Sequence, residues 1–152
     1  MARNFIQNVK NYMTDKLVDT NILVYAYDLT EREKHQTSSA FLKQIWKEGG
    51  GVVCLQNLME FFAIITKKVE NPIEVEEAKT IVEDFKNSES WRIIDRDVDT
   101  FFHAMDIVSE HKIHVWDAMI AACMKENNIN EIVTENVKDF NRVPNIKVSS
   151  LF

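Results

Sequence analysis

Apolar, β-branched runs alternate along this chain with segments whose apolar residues recur at helical spacing. The runs LVDTNILVYA (17–26), GVVCL (51–55), WRIID (91–95), EIVT (131–134) and IKVSS (146–150) have the make-up of buried strands. Between them, Ser38, Phe41, Leu42, Ile45 and Trp46 form one helical stripe, closed by Gly49–Gly51. A second stripe starts at Gln56 and ends near Glu70, where Asn71-Pro72 blocks continuation. Ala78, Ile81, Val82 and Phe85 make a third, with the acids of EVEEA on its outer face. Val98, Phe101, Phe102, Met105 and Val108 make a fourth, and Trp116, Met119, Ile120, Cys123 and Met124 a fifth. Strands separated by helices, and apolar enough to be covered on both faces, predict a three-layer α/β/α fold. Its central sheet is expected to be mostly parallel and about five-stranded.

Five acids interrupt this pattern: Asp19 in KLVDTNILVYA, Glu60 in LQNLMEFFAII, Asp117 in HVWDAMIAACM, and Glu135 and Asp139 in EIVTENVKDF. Each lies beside an apolar run, where an unpaired carboxylate is costly and is normally paired or metal-bound. Lys16 and Lys138 are the only lysines or arginines within these stretches, and Lys138 alone adjoins an acid. Asp19 falls inside a strand pattern, where aspartate is disfavoured. Asp117 opens an apolar helix, the place of an ordinary N-cap, and Glu60 also reads as an early-helix acid. Glu135 and Asp139 read singly as loop acids. Strand ends and helix starts share one edge of an open parallel sheet, which is where ligands bind. One cation site at that edge accounts for all five at once.

Composition narrows the class. A chain of 152 residues, 45% hydrophobic and 28% charged, has the size and balance of one globular domain. Residues 1–14 read as a short N-terminal extension without a secretory h-region, and 15–152 as a single domain. FFAII and AMIAACM are far too short to span a bilayer, so no membrane is expected. Cys54 and Cys123 belong to no Cys-x-x-Cys pair and read as reduced core residues of a cytoplasmic protein, not zinc ligands. A net charge of −6 argues against broad phosphate attraction, yet a cation held by carboxylates can still recruit a phosphate.

Other chemistries are thinly represented. His35, His103, His111 and His114 show no ligand-type pairing, and neither a P-loop, a dinucleotide fingerprint nor a Gly-x-Ser-x-Gly elbow occurs. A receiver domain needs an acidic pair at the first strand, and Asp19 has no such neighbour. A haloacid-dehalogenase-type phosphatase needs Asp-x-Asp there, and Asn21 holds the second position.

The ordered set Leu17-Val18-Asp19-Thr20-Asn21-Ile22-Leu23, Glu60, Trp116-Asp117-Ala118 and Thr134-Glu135-Asn136-Val137-Lys138-Asp139-Phe140 resembles the PIN domain. The likeness is strongest to the VapC-type toxins of prokaryotic toxin–antitoxin pairs and covers roughly residues 16 to 150. The resemblance implies metal-binding, catalytic acids at Asp19, Glu60, Asp117 and Glu135, with Asp139 as an additional acid. It implies supporting polar roles for Thr20, Asn21 and Thr134. Many relatives carry Asp where this chain has Glu135, which leaves Asp139 as an alternative direct ligand. Carboxylate oxygens without His or Cys select Mg²⁺ or Mn²⁺. The implied activity is hydrolysis of RNA phosphodiester bonds, leaving 5′-phosphate and 3′-hydroxyl ends. The implied partners are an RNA substrate, an antitoxin and a second copy in a homodimer. A catalytically silent PIN-like module that binds RNA or protein is the competing expectation.

Overall fold

The computed structural model describes residues 14–152; the expected N-terminal extension lies, apart from Thr14, outside the described residues. Five strands, β1 (Lys16–Val18), β2 (Gly51–Cys54), β3 (Trp91–Ile94), β4 (Glu131–Val133) and β5 (Lys147–Ser149), form one sheet in the order β3-β2-β1-β4-β5. Every neighbouring pair is parallel. The helices are α1 (Thr20–Tyr27), α2 (Arg32–Glu48), α3 (Leu55–Ile65), α4 (Val75–Asn87), α5 (Val98–His111), α6 (Val115–Glu126) and the single turn α7 (Val137–Phe140). The expected three-layer α/β/α architecture is therefore present.

Side-chain alternation along the strands builds a core on each face. Val18 and Val53 join Ile22, Leu23, Leu42, Ile45, Phe61, Phe85 and Trp91 on one side. Leu17, Val52 and Cys54 join Ile120, Met124, Ile132 and Phe140 on the other. Neighbouring strand residues thus enter opposite cores, as a period of two requires. Among the described residues no helix is long and apolar enough to cross a membrane.

One expectation fails in an informative way. The run expected as a strand over 17–26 is a strand only to Val18; residues 20–27 are helical. Ile22, Val24 and Tyr25 favour a strand locally, but Asp19 is extended and caps the helix, its Oδ1 accepting from the Thr20 N–H at 2.8 Å. The apolar NILVYA segment then buries Ile22, Leu23, Val24 and Ala26 as a helix. Tertiary burial overrides local propensity here. The second stripe also ends earlier than expected, at Ile65.

The chain turns back at β1. Strands β2 and β3 extend the sheet one way, and the connection through α5 and α6 returns to place β4 against the opposite edge of β1. The carboxyl ends of β1 and β4 flank this switch point, so Asp19 and Thr134 leave the sheet side by side. At the other end of β2, Gly51 is fully enclosed: an added Cβ would lie 2.5 Å from the Trp91 ring and 2.6 Å from Ile45. Gly51→Ala is expected to cost about 1–3 kcal/mol through this overpacking. Urea unfolding should show a lower midpoint with an unchanged slope.

Candidate active site

Asp19 follows β1 and is only 6% exposed. Its carboxylate is held by neutral donors from three other places in the sequence. Thr134 Oγ1, just past β4, donates to Oδ2 at 2.7 Å; Asn57 Nδ2, in the first turn of α3, donates to Oδ1 at 3.3 Å. Asn21 Nδ2 adds a longer contact to Oδ2 at 3.5 Å. Asn57 is itself fixed, because its Oδ1 accepts from the Cys54 N–H at 2.9 Å. Burial raises the Asp19 pKa; the bonds from Thr134 and Thr20 oppose that, and the Glu60 charge adds to it.

Glu60 lies in the second turn of α3, one turn further along than the sequence suggested. Both its oxygens are oriented: Thr20 Oγ1 donates to Oε2 at 3.0 Å and Gln56 Nε2 to Oε1 at 2.8 Å. Asn57 Nδ2 also reaches Thr20 Oγ1 at 3.0 Å. Gln56 and Asn57 precede Glu60 by four and three residues, the spacing that puts side chains on one helical face. The Gln56 Nε2 also donates to the Trp116 carbonyl at 3.2 Å, and Arg96 Nη1 donates to Gln56 Oε1.

Asp117 is not an N-cap. His114 caps α6, and Asp117 sits two residues into the helix. Its Oδ2 instead accepts from Asn136 Nδ2 at 2.8 Å, and the same amide donates to Asp139 Oδ2 at 3.1 Å. Burial drives the Asp117 pKa up to about 6, helped by the charges of Asp19, Asp139 and Glu60 and opposed by His114. Asp19, Glu60, Asp117 and Asp139 therefore share one electrostatic neighbourhood. None of the four is in an ion pair among the described residues.

Glu135 is placed differently. Lys34 Nζ pairs with its Oε1, and the Tyr25 hydroxyl donates to Oε2 at 2.7 Å. Burial raises the Glu135 pKa, but the bonds from Lys34 and Tyr25 together outweigh it and hold the carboxyl below its usual range. Its backbone N–H donates to Asn21 Oδ1 at 3.2 Å, which links this rim to Asp19. The supporting positions expected at Thr20, Asn21 and Thr134 all bond to the acids or their neighbours.

Six further participants went unassigned in the sequence: Tyr25, Lys34, Gln56, Asn57, Arg96 and Asn136. Only the amides left a trace, as paired polar residues in the otherwise apolar CLQNLMEFF and as the Asn of TENVKDF.

The donor set suits a hard divalent cation, being carboxylate oxygens with no imidazole or thiolate among the converging groups. Among the described residues, however, no three acidic, His or Cys side chains already close on one point. The Asn136 amide stands between Asp117 and Asp139, bonding to both, in the position of a positive partner. That amide engages only Oδ2 of each carboxylate, and Oδ1 of each makes no hydrogen bond among the described residues.

The sequence matches the profile of the PIN domain over residues 16–146. No curated protein matches it significantly. Solved structures do. A toxin–antitoxin complex from Klebsiella pneumoniae is 22% identical with TM-score 0.64, covering 91% of this chain and 98% of that one. VapBC2 from Rickettsia felis, bound to a DNA fragment from its promoter, gives 22% identity and TM-score 0.64 over 90% and 98%. The Sarcin-Ricin loop cleaving toxin VapC20 of Mycobacterium tuberculosis gives 15% and 0.59 over 78% and 87%. At these identities the likeness is one of fold.

The raised Asp117 pKa has a measurable consequence. The folded state binds this proton more tightly than the unfolded chain does, so ionisation destabilises the metal-free fold. Its contribution is most favourable at acid pH and is lost as pH rises through the interval from about 4 to about 6. In EDTA, Asp117→Asn is expected to unfold later than wild type at about pH 7, by roughly 1 kcal/mol after allowing for screening of a half-exposed group. The gap should close toward about pH 4; a gap independent of pH would contradict this origin.

Proposed function

Because the chain belongs to the PIN domain family, we propose that it is a metal-dependent endoribonuclease hydrolysing RNA phosphodiester bonds, and the toxin of a VapBC-type pair. One observation carries this reading. Four acids share a neighbourhood without a paired cation among the described residues, and Asp117 is pushed to about 6 by burial and by the other three. That arrangement is unfavourable unless a cation completes it.

In this reading Asp19 and Asp117 hold Mg²⁺ or Mn²⁺, with Glu60 and Asp139 completing the set. When bound, such an ion supplies charge neutralisation, polarisation of the phosphoryl oxygen and acidification of water. The chain supplies the orientation. Thr134 and Asn57 fix the Asp19 carboxylate, Thr20 and Gln56 fix both oxygens of Glu60, and Asn136 bridges Asp117 and Asp139. Neutral donors of this kind set ligand direction without cancelling ligand charge. We place Glu135 at the rim, where Lys34 already meets its charge, and prefer Asp139 to it as a ligand.

The partner reading draws on the solved toxin–antitoxin complexes of this fold, whose antitoxin subunits suggest a similar guest here. An arginine-bearing segment matches the charge of the acidic cup. A homodimer is supported by the apolar face that α5 leaves exposed at Val98, Phe101, Phe102 and Met105. We take the protein to act in the cytoplasm, consistent with two free cysteines.

One observation favours the second reading, a PIN-like module that binds without cutting: the Asn136 amide fills the gap between Asp117 and Asp139. Cleavage separates the two. Labelled RNA should be cut with Mg²⁺ or Mn²⁺, spared in EDTA, and cut at least about 100-fold more slowly by Asp117→Asn. Cutting that persists in both controls would rule out this site. Independently, millimolar Mn²⁺ should raise the melting temperature of wild type and do so less for Asp117→Asn, since a ligand of the folded state stabilises it. Glu135→Gln should keep most of that rise.

A further inference from the structure

Two of the three tryptophans pack into the core, Trp91 buried and Trp46 partly buried against it. Trp46 and Trp91 lie with ring centroids 5.6 Å apart, and both pack on Phe85, at 5.1 and 4.8 Å. Trp116 is different: it is 55% exposed, one residue before Asp117, in the first turn of α6. Its backbone is nevertheless tied to the acidic cup. Gln56, itself 4% exposed, donates from one amide nitrogen to both the Trp116 carbonyl and Glu60 Oε1, at 3.2 and 2.8 Å.

The other end of that amide holds Arg96. Gln56 Oε1 accepts from Arg96 Nη1, so one buried side chain gathers an arginine, a tryptophan backbone and a site carboxylate. Among the described residues this is the sole side-chain hydrogen bond of Arg96, and it enters no ion pair. The adjacent Asp95 carboxylate accepts the Arg96 backbone N–H, at 2.7 Å. A guanidinium carries five N–H donors, so most of this one remains uncommitted to protein. Lys34, by contrast, is engaged by Glu135 and Tyr25.

A planar aromatic surface for a base and a placed cation for the backbone are what a single nucleic-acid strand requires. In a chain with net charge −6, phosphate contact must come from a few positioned cations, not from a general field. We propose that Trp116 and Arg96 form a nucleotide subsite for single-stranded RNA on the Glu60 side of the cup, with the indole stacking on a base and the guanidinium binding a phosphate beside the scissile one. The proposal rests on the nuclease reading and adds the strand's path to it.

The test is binding of a short single-stranded oligoribonucleotide to the full chain in Ca²⁺, with intact RNA confirmed afterwards. Because Trp91 is buried and Trp46 partly buried, stacking on the exposed Trp116 should quench most of the accessible tryptophan emission. Trp116→Ala should abolish the quenching and weaken binding, read by anisotropy of labelled RNA, by roughly tenfold or more, whereas Trp116→Phe should stay within about threefold of wild type. Arg96→Gln should lower the slope of log affinity against log salt by about 0.7, and Arg96→Lys should restore it.

Absence of RNA binding by wild type, or affinity and salt slope untouched by both Trp116→Ala and Arg96→Gln, overturns the subsite. Equal competition by duplex RNA overturns it too, as does a self-association of wild type that Trp116→Ala abolishes while RNA affinity stays unchanged, which would assign the indole to a protein contact. The Mn²⁺-induced rise in melting temperature is measured on the same proteins. If it persists while RNA affinity ignores both substitutions, the subsite fails alone; if wild type lacks the rise, the metal reading fails, and the stacking result is still decided by quenching and affinity.

Discussion

The fold is organised around the cost of keeping one carboxylate, Asp19, out of water at the carboxyl end of a central strand. Burying a charge costs several kcal/mol unless hydrogen bonds replace its hydration. Here the replacements come from Thr20, Asn57 and Thr134, so satisfying Asp19 fastens β1 to α1, α3 and the end of β4. The backbone joins in, since the Asp19 N–H donates to the Val133 carbonyl at 3.0 Å. Even so, burial prevails and the pKa stays raised. A carboxylate that remains unfavourable after all these bonds is poor stabilisation, and it sits where parallel sheets place their ligands.

Around Asp19 the charges fall into two zones. Asp19, Glu60, Asp117 and Asp139 feel one another and are bonded by amides and hydroxyls. The cations lie further out: Lys34 is bound to Glu135, and Arg96 is held at one remove from Glu60 by Gln56. Lys34 also lies 4.8 Å from the Tyr25 ring centroid and 5.4 Å from that of Phe152, so its charge is anchored from several directions. The rim is thus neutralised or positive while the centre is left negative.

The layer architecture was legible because periodicity reports burial, and burial is what the layers share. The α1 segment was not, because its β-branched residues favour a strand and only the Asp19 cap and packing against α2 and α3 make it helical. That Asp19, Glu60, Asp117 and Asp139 lie in one neighbourhood was suggested by their position beside apolar runs, whereas Glu135, expected with them, is paired with Lys34. The roles of the acids were less legible: Asp117 looked like a cap until the structure placed His114 there. Lys34 and Glu135 are 101 positions apart and Arg96 and Gln56 are 40 apart, so nothing local announces either contact. Long-range pairs of this kind follow from the topology, which a single sequence conveys only in outline.

The choice of donors bears on what the centre is for. A lysine or arginine in place of Asn57, Gln56 or Asn136 would pair with these acids directly, relieve their repulsion and bring Asp117 back toward its ordinary pKa. Neutral side chains occupy those positions instead. They satisfy lone pairs, so each carboxylate keeps a defined direction, but they leave the charge in place. Above the raised Asp117 pKa of about 6, where protonation no longer relieves it, the remaining penalty is met by positive charge arriving from outside. In the proposed reading a small divalent ion would do this at the centre, and a guanidinium from a partner would do it competitively. On the proposed reading, the same unneutralised acids would serve both a metal-dependent activity and its inhibition by a basic guest, with no need for two separate sites.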